Sequence, residues 1–204
     1  MKTAIKWLKI GIPIVLLLLL IRWAYTTVVG TYNYLISMEE TVKTSFSQMQ
    51  VQYQRRADLI PNLVEIVKGY AQHEKETLVG VTEARAKVGQ MNVNMGKGGI
   101  TPEAIQRFME AQGVLTEALS RLMVVVERYP DLKADQRFAE LQAQLEGTEN
   151  RIAFARNQYN EAVQSFNTFM RRFPNNLIAN FFNFQPYPYF EAEKGAEKAP
   201  TVKF

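Results

Sequence analysis

His73 and Glu74 form the adjacent pair in this chain that most invites a catalytic reading, because a helix carrying His-Glu-x-x-His can hold zinc and activate water. The second histidine is missing: Thr77 stands four residues on, and the chain has one histidine and no cysteine among its 204 residues. A metal set and a Ser-His triad both fail for want of partners. The carboxylate pairs Glu39-Glu40 and Glu74 with Glu76 read as solvated helix charge. Gly96-Lys97-Gly98-Gly99 lacks the spacing and the Ser or Thr of a phosphate loop. The expectation is a protein without enzyme activity, metal, cofactor or small-molecule substrate.

A second cluster, Arg55, Arg56, Asp58 and Asn62, suits recognition better than reaction, since guanidinium, carboxylate and amide groups together can dock a polar partner. Local structure offers each residue another role. If a helix ends here, the arginines answer its last carbonyls, Asp58 caps the next helix and Asn62 fills a turn. Capping is the favoured reading, and an interaction site at the far tip of the body is the alternative.

Helices must position these groups, and the apolar spacing supplies them. Phe138, Leu145, Ile152, Tyr159, Phe166 and Phe173 recur every seven residues, interleaved with Leu141, Thr148, Ala155, Ala162 and Phe169. That is a heptad seam of coiled-coil type. Phe108, Leu115, Leu122 and Tyr129, with Ala111, Ala118 and Val125, repeat it in a segment opened by Thr101-Pro102-Glu103, a cap followed by proline at the first helical position. Tyr129-Pro130-Asp131 divides the two. Earlier, Val42, Phe46, Met49 and Tyr53 mark one helix, and Leu63, Val67, Tyr70, Leu78 and Val81 mark another. Asp58-Leu59-Ile60-Pro61 between them reads as a hairpin turn, with a kink in one long helix as the alternative. Gly89 to Gly99 reads as a loop. The expected fold is all-α: an N-terminal transmembrane helix over 1–29, an elongated antiparallel four-helix bundle with heptad-type packing over 30–174, and an aromatic-rich tail over 175–204.

The transmembrane expectation rests on Trp7, Trp23 and the apolar run between them, Ile10 to Ile21, broken only by Gly11 and Pro13. A helix from Trp7 to Val29 reaches about 30 Å, the thickness of the hydrocarbon core. Trp7 and Trp23 suit the two interfaces, and Arg22 can snorkel to one of them. Trp23-Ala24-Tyr25 is too bulky for a cleavage site, so a retained signal-anchor is preferred to a removed signal peptide. Lys2, Lys6 and Lys9 precede the run, and no carboxylate appears before Glu39. The positive-inside rule then puts the amino terminus in the cytoplasm and the body outside, on the periplasmic face of an inner membrane. Of 24 Lys and Arg and 20 Asp and Glu, four basic residues and no acid precede residue 26. The body is therefore neutral, and a pI near 9.2 leaves no footprint for nucleic acid.

Nine of the chain's 23 aromatic residues crowd into one stretch: Phe166, Phe169, Phe173, Phe181, Phe182, Phe184, Tyr187, Tyr189 and Phe190, with Arg171 and Arg172 among them. Packing on the bundle or on a neighbouring subunit is the favoured use of such rings. A juxtamembrane foot, with rings at headgroup depth and arginines on phosphate, is the alternative.

Gln54-Arg55-Arg56-Ala57-Asp58-Leu59-Ile60-Pro61-Asn62-Leu63-Val64-Glu65, running on through Val67-Lys68-Gly69-Tyr70-Ala71 to His73-Glu74, resembles the signature of LemA family proteins. Tyr32-Asn33, Ala84-Arg85, Glu127-Arg128-Tyr129-Pro130, Glu149-Asn150-Arg151-Ile152-Ala153, Arg156, Tyr159-Asn160, Phe173-Pro174 and Ala199 to Phe204 extend the resemblance over nearly the whole chain. It implies a single-pass bacterial membrane protein with a helical-bundle body and no assigned enzyme activity. The expected function is that of a non-enzymatic, membrane-anchored scaffold or assembly protein of the bacterial cell envelope, a homo-oligomer acting through contacts with itself or a membrane protein partner. The alternatives are an accessory or regulatory subunit of a membrane protease or transporter, and a lipid-surface binder.

Overall fold

The computed structural model describes residues 2–98 and 100–190, the side chains of 2–10 and 92–98 excepted. These residues form α1 (Lys2–Tyr70), α2 (Lys75–Gly98), α3 (Pro102–Glu127), α4 (Pro130–Lys133), α5 (Gln136–Arg171) and α6 (Asn175–Phe181). Among the described residues there is no strand.

α1 changes solvent along its length. Ile12 to Ile21, Trp23 and Tyr25 stand exposed, whereas Leu35, Val42, Phe46, Met49, Tyr53, Ile60, Leu63 and Val67 are buried. The exposed part is long and apolar enough to cross a membrane. Its two threonines suit lipid, because Thr26 and Thr27 both return their hydroxyls to the carbonyl of Trp23, at 2.9 and 2.8 Å. A donor satisfied on its own helix asks nothing of the surrounding hydrocarbon. Ile21, Arg22 and Trp23 are all exposed, and the side chains of Trp7 and Ile10 lie outside the described residues.

The hairpin expected at Asp58–Pro61 does not occur: α1 runs through Pro61 and ends at Tyr70. Proline inside a helix has no N–H to give, which orphans the carbonyl four residues back. Here that carbonyl belongs to Ala57, and Arg85 of α2 donates its Nε to it at 2.9 Å. A neighbouring helix thus repairs the break that proline makes. Asp58, freed from capping, accepts instead from Gln54 Nε2 at 2.7 Å within the same helix. The real join spans Ala71–Glu74, so Leu63 and Val67 stay on α1 while Leu78 and Val81 belong to α2. The loop expected from Gly89 is helix as far as Gly98. Each glycine there weakens the helix by about 1 kcal/mol, but none removes a hydrogen bond as proline would.

The other helix ends follow their sequence signals. Thr101 accepts from the N–H of Ala104 at 3.2 Å with Pro102 in the first turn of α3. Asp135 starts α5 by accepting from the N–H groups of Arg137 and Phe138 at 2.8 and 3.2 Å. Asn183 ends α6 in a left-handed conformation, φ 59°. Phe184 N–H then reaches the Ala179 carbonyl at 3.0 Å and Asn183 N–H that of Asn180 at 3.2 Å, the paired bonds of a Schellman motif.

α1 packs mainly on α5, and α2 on α3. On α5 the heptad positions Phe138, Leu141, Leu145, Thr148, Ile152, Ala155, Tyr159 and Phe166 are buried as expected. After Tyr159 the second seam position moves on by one residue, to Val163 and Met170 in place of Ala162 and Phe169, and Phe173 emerges into solvent. A straight helix drifts about 20° per heptad, which accumulates to nearly one residue over this length.

Candidate functional site

The interior holds two apolar clusters with a polar layer between them. One contains Phe46, Met49, Tyr53, Phe108, Ile152, Tyr159 and Phe166; the other contains Ile60, Leu63, Val81, Leu115, Leu122, Phe138 and Leu145. Arg56 sits at the division, 1% exposed. Its Nη2 donates to Gln112 Oε1 at 2.6 Å, and its Nη1 donates to Glu149 Oε1 at 2.9 Å and Thr116 Oγ1 at 3.2 Å. Its guanidinium carbon stands 5.0 Å from the centre of the Tyr53 ring. One side chain of α1 therefore ties α3 to α5. With Arg85 bonding the adjacent Ala57 carbonyl, all four long helices meet within a single turn.

Electrostatics gives this layer a particular character. Burying a guanidinium costs several kcal/mol after relaxation, and a paired carboxylate repays that cost only roughly. Glu149 is half exposed, and Arg56 Nε and Gln112 Nε2 find no hydrogen-bond partner among the described residues. The layer is better suited to fixing register than to adding stability. Heptad seams slide easily in steps of seven, and a buried arginine with matched partners penalises every wrong step.

The four residues of the expected interaction cluster part company. Arg56 turns into the core, whereas Arg55, Asp58 and Asn62 lie exposed on other faces of α1. Because α1 continues to Tyr70, all four lie mid-helix and none is at the tip. The tip is made elsewhere: Tyr70 donates to Asp135 Oδ2 at 2.7 Å, and Glu74 accepts from Arg128 at 3.1 Å and from Tyr129 OH at 3.4 Å. Hydrogen bonds from Arg137 and then Tyr70 hold the Asp135 carboxyl well below the usual carboxylate range. His73 is exposed in the turn, while Glu74 is engaged by Arg128 and Tyr129.

A second polar device binds the aromatic stretch to the body. Asn167 donates to the Tyr187 carbonyl at 2.9 Å and accepts from the Tyr187 N–H at 3.0 Å. Asn160 does the same for Phe190, at 3.0 and 2.9 Å. Seven residues of helix rise about 10 Å and three extended residues cover about the same distance. The heptad spacing of the asparagines therefore matches the strap's own repeat. Pro186 and Pro188 flank Tyr187 and lack an N–H of their own. Tyr159 OH donates to the Pro188 carbonyl at 2.9 Å, and Tyr187 OH donates to Glu39 Oε1 at 3.0 Å. Burial raises the Tyr159 and Tyr187 hydroxyls well above the ordinary tyrosine value, Tyr187 further so by the charge of Glu39. Burial also raises Tyr53, against the pull of Arg156, whose Nε donates to the Tyr53 hydroxyl at 2.6 Å. Sequence reasoning missed Asn160 and Asn167 as positioning groups; their signal was the seven-residue spacing of amides beside two seam aromatics, Tyr159 and Phe166.

The aromatic stretch thus divides. Phe166, Tyr187 and Phe190 are buried, and Phe169 and Phe184 are half-buried. Phe173 is 81% exposed and Phe181 79%, with Phe182, Tyr189, Arg171 and Arg172 also exposed. Phe182 meets Tyr32 with ring centres 4.6 Å apart, and Phe169 meets Tyr34 at the same distance.

Comparison with known sequences follows the same extent. The LemA family profile matches residues 45–204. Magnetosome protein MamQ 2 of Paramagnetospirillum magneticum is 29% identical over 195 residues, covering 86% of this chain and 70% of that protein. Magnetosome protein MamQ of Magnetospirillum gryphiswaldense is 28% identical over 196 residues, covering 87% and 70%. Protein LemA of Metamycoplasma hominis is 24% identical over 170 residues, covering 83% and 73%.

Proposed function

The chain belongs to the LemA family, and on that premise we propose that it is a non-enzymatic, membrane-anchored scaffold or assembly protein of the bacterial envelope. The observation that carries the reading is the continuity of α1, which joins the exposed apolar segment to the centre of the core without a break. Such a helix holds a body at a fixed attitude to a bilayer, which assembly requires and catalysis does not. We read the body as an antiparallel four-helix bundle. The pairs Tyr53 with Arg156, Arg56 with Glu149 and Tyr70 with Asp135 support this, because residue numbers rise on α1 as they fall on α5. The positive-inside argument favours a cytoplasmic amino terminus and an external body. Relatives named for the magnetosome and for LemA fit a role in assembly better than one in a reaction. The register-setting layer at Arg56, Gln112 and Glu149 supports a body built to present one rigid surface. The test is the size of the detergent-extracted full-length protein, with mass spectrometry of whatever co-purifies. A defined homo-multimer is expected; a monomer bound to a single membrane protein would overturn the scaffold reading in favour of an accessory subunit.

A further inference from the structure

We infer that α6 is a lipid-contacting foot, set on the headgroup layer of the same bilayer that α1 crosses. The inference rests on the membrane reading of α1 and deepens it.

Chain path places α6 at one pole of the body. α5 ends at Arg171, α6 follows, and the strap then runs back along α5, with Tyr187 at Asn167 and Phe190 at Asn160. The element between an outgoing helix and a returning strap is the turning point. That pole is the one nearest the membrane, because α6 packs on α1 through Phe182 and Tyr32. Tyr32 lies only about 5 Å along the helix beyond Val29, where a span begun at Trp7 leaves the hydrocarbon.

The face of α6 turned from the body is apolar. Ile178 and Ala179 are buried where α6 packs on α1 and α5, whereas Leu177 and Phe181, one turn apart, are 59% and 79% exposed, and Phe173, in the turn that leads into α6, is 81% exposed. Water is a poor partner for a stripe of this kind, and the interfacial zone is a good one. Charge agrees with that occupant. No carboxylate occurs before Glu39, nor between Glu161 and Glu191, while Arg171 and Arg172 stand exposed beside the stripe. Glu39 and Glu40, which share a cleft with Tyr32 and Phe182, are set back about 10 Å along α1 from Tyr32, and the two arginines complement anionic headgroups.

The chain has no cysteine, so single nitroxide labels report cleanly. Full-length Phe173→Cys, Leu177→Cys and Phe181→Cys proteins are labelled and reconstituted in phosphatidylcholine bilayers with and without phosphatidylglycerol. Leu18→Cys marks the hydrocarbon and Val124→Cys the exposed body. Collision with oxygen and with a water-soluble nickel chelate gives the depth of each label. Labels at 173, 177 and 181 are expected to shift from the Val124 value toward that of Leu18. Arg171→Gln with Arg172→Gln should move them back toward water in the anionic bilayer more than in the neutral one. Labels at 177 and 181 that match Val124 overturn the foot, and if those same labels show spin-spin broadening that vanishes on dilution with unlabelled protein, the stripe belongs to a second copy. A water-like label at Leu18 would instead overturn the membrane reading of α1, so the two failures are distinct.

Discussion

Phe46, Tyr53, Phe108, Tyr159, Phe166, Tyr187 and Phe190 fill the half of the core nearer the anchor, whereas the far half is built of Leu, Ile, Val and Ala around a lone buried Phe138. The near half is mostly edge-to-face, as in Phe46 with Phe108 at 5.3 Å, Tyr53 with Phe108 at 5.3 Å and Tyr159 with Phe190 at 5.6 Å, with Tyr53 and Phe190 stacked at 6.2 Å. Rings in such pairs accept few orientations. Aliphatic side chains repack more freely at constant volume. The far half compensates at its tip, where Asp135 and Glu74 pin turns together through Tyr70, Arg128 and Tyr129. One end of the body is thus specified by its interior and the other by its joins, with Arg56 as the hinge of the two logics.

That contrast can be broken most forcefully at the layer between the halves. Arg56→Ala removes a buried charge and its cation-π contact with Tyr53, strands Gln112 and leaves a void, and should cost about 2–5 kcal/mol by chemical denaturation. Arg56→Met should cost far less, and should lower the specificity of register, seen as broadened amide resonances in both halves. Equal losses for the two variants would show that the layer acts by charge and not by fit.

The strap offers a smaller and more local effect. Asn167→Ala leaves the Tyr187 N–H and carbonyl unpaired, a loss of about 1–3 kcal/mol. Faster amide hydrogen exchange should be confined to residues around the near cluster, with Leu63 and Leu122 unaffected. Spread of that exchange into the far cluster would erase the distinction between halves. In the far half, Arg85→Ala should cost about 1 kcal/mol, but much less in a Pro61→Ala background, where the Ala57 carbonyl regains a backbone donor. A double-mutant cycle measures the difference, and additivity would deny the repair.

Acid and base should separate the ends most gently. Asp135 is held below its ordinary value, so its contribution is complete above about pH 4 and fades as pH falls below it. Tyr159 and Tyr187 are raised, so the unfolded chain ionises first and stability falls as pH rises above about 10. Asp135→Asn should flatten the acid limb of a melting profile alone, and Tyr187→Phe the alkaline limb alone.

Much of this architecture was legible in the residues. Heptad spacing located the seams of α3 and α5, and Thr101-Pro102 fixed where α3 begins, because those signals are local. Pro61 misled for the same reason: proline and a preceding Asp look like a turn unless a donor for the Ala57 carbonyl, 28 residues beyond it on α2, is known to exist. Arg56 was singled out but given a surface role, since its neighbour Arg55 shares its chemistry and only the helix face separates them. Asn160 and Asn167 showed only a seven-residue spacing, and their role stayed hidden because their partners are backbone groups of a segment whose return path depends on tertiary structure.

The unbroken length of α1 has a mechanical side. About 70 Å of helix separates Trp23 from Tyr70. A tilt of about 20°, ordinary for a helix adjusting to hydrophobic mismatch, would carry the turn at Ala71 sideways by about 24 Å. Any tilt at the apolar end would thus be amplified at the distal turn, and a fixed attitude of the body depends on contacts close to that end, such as the packing of α6 on α1.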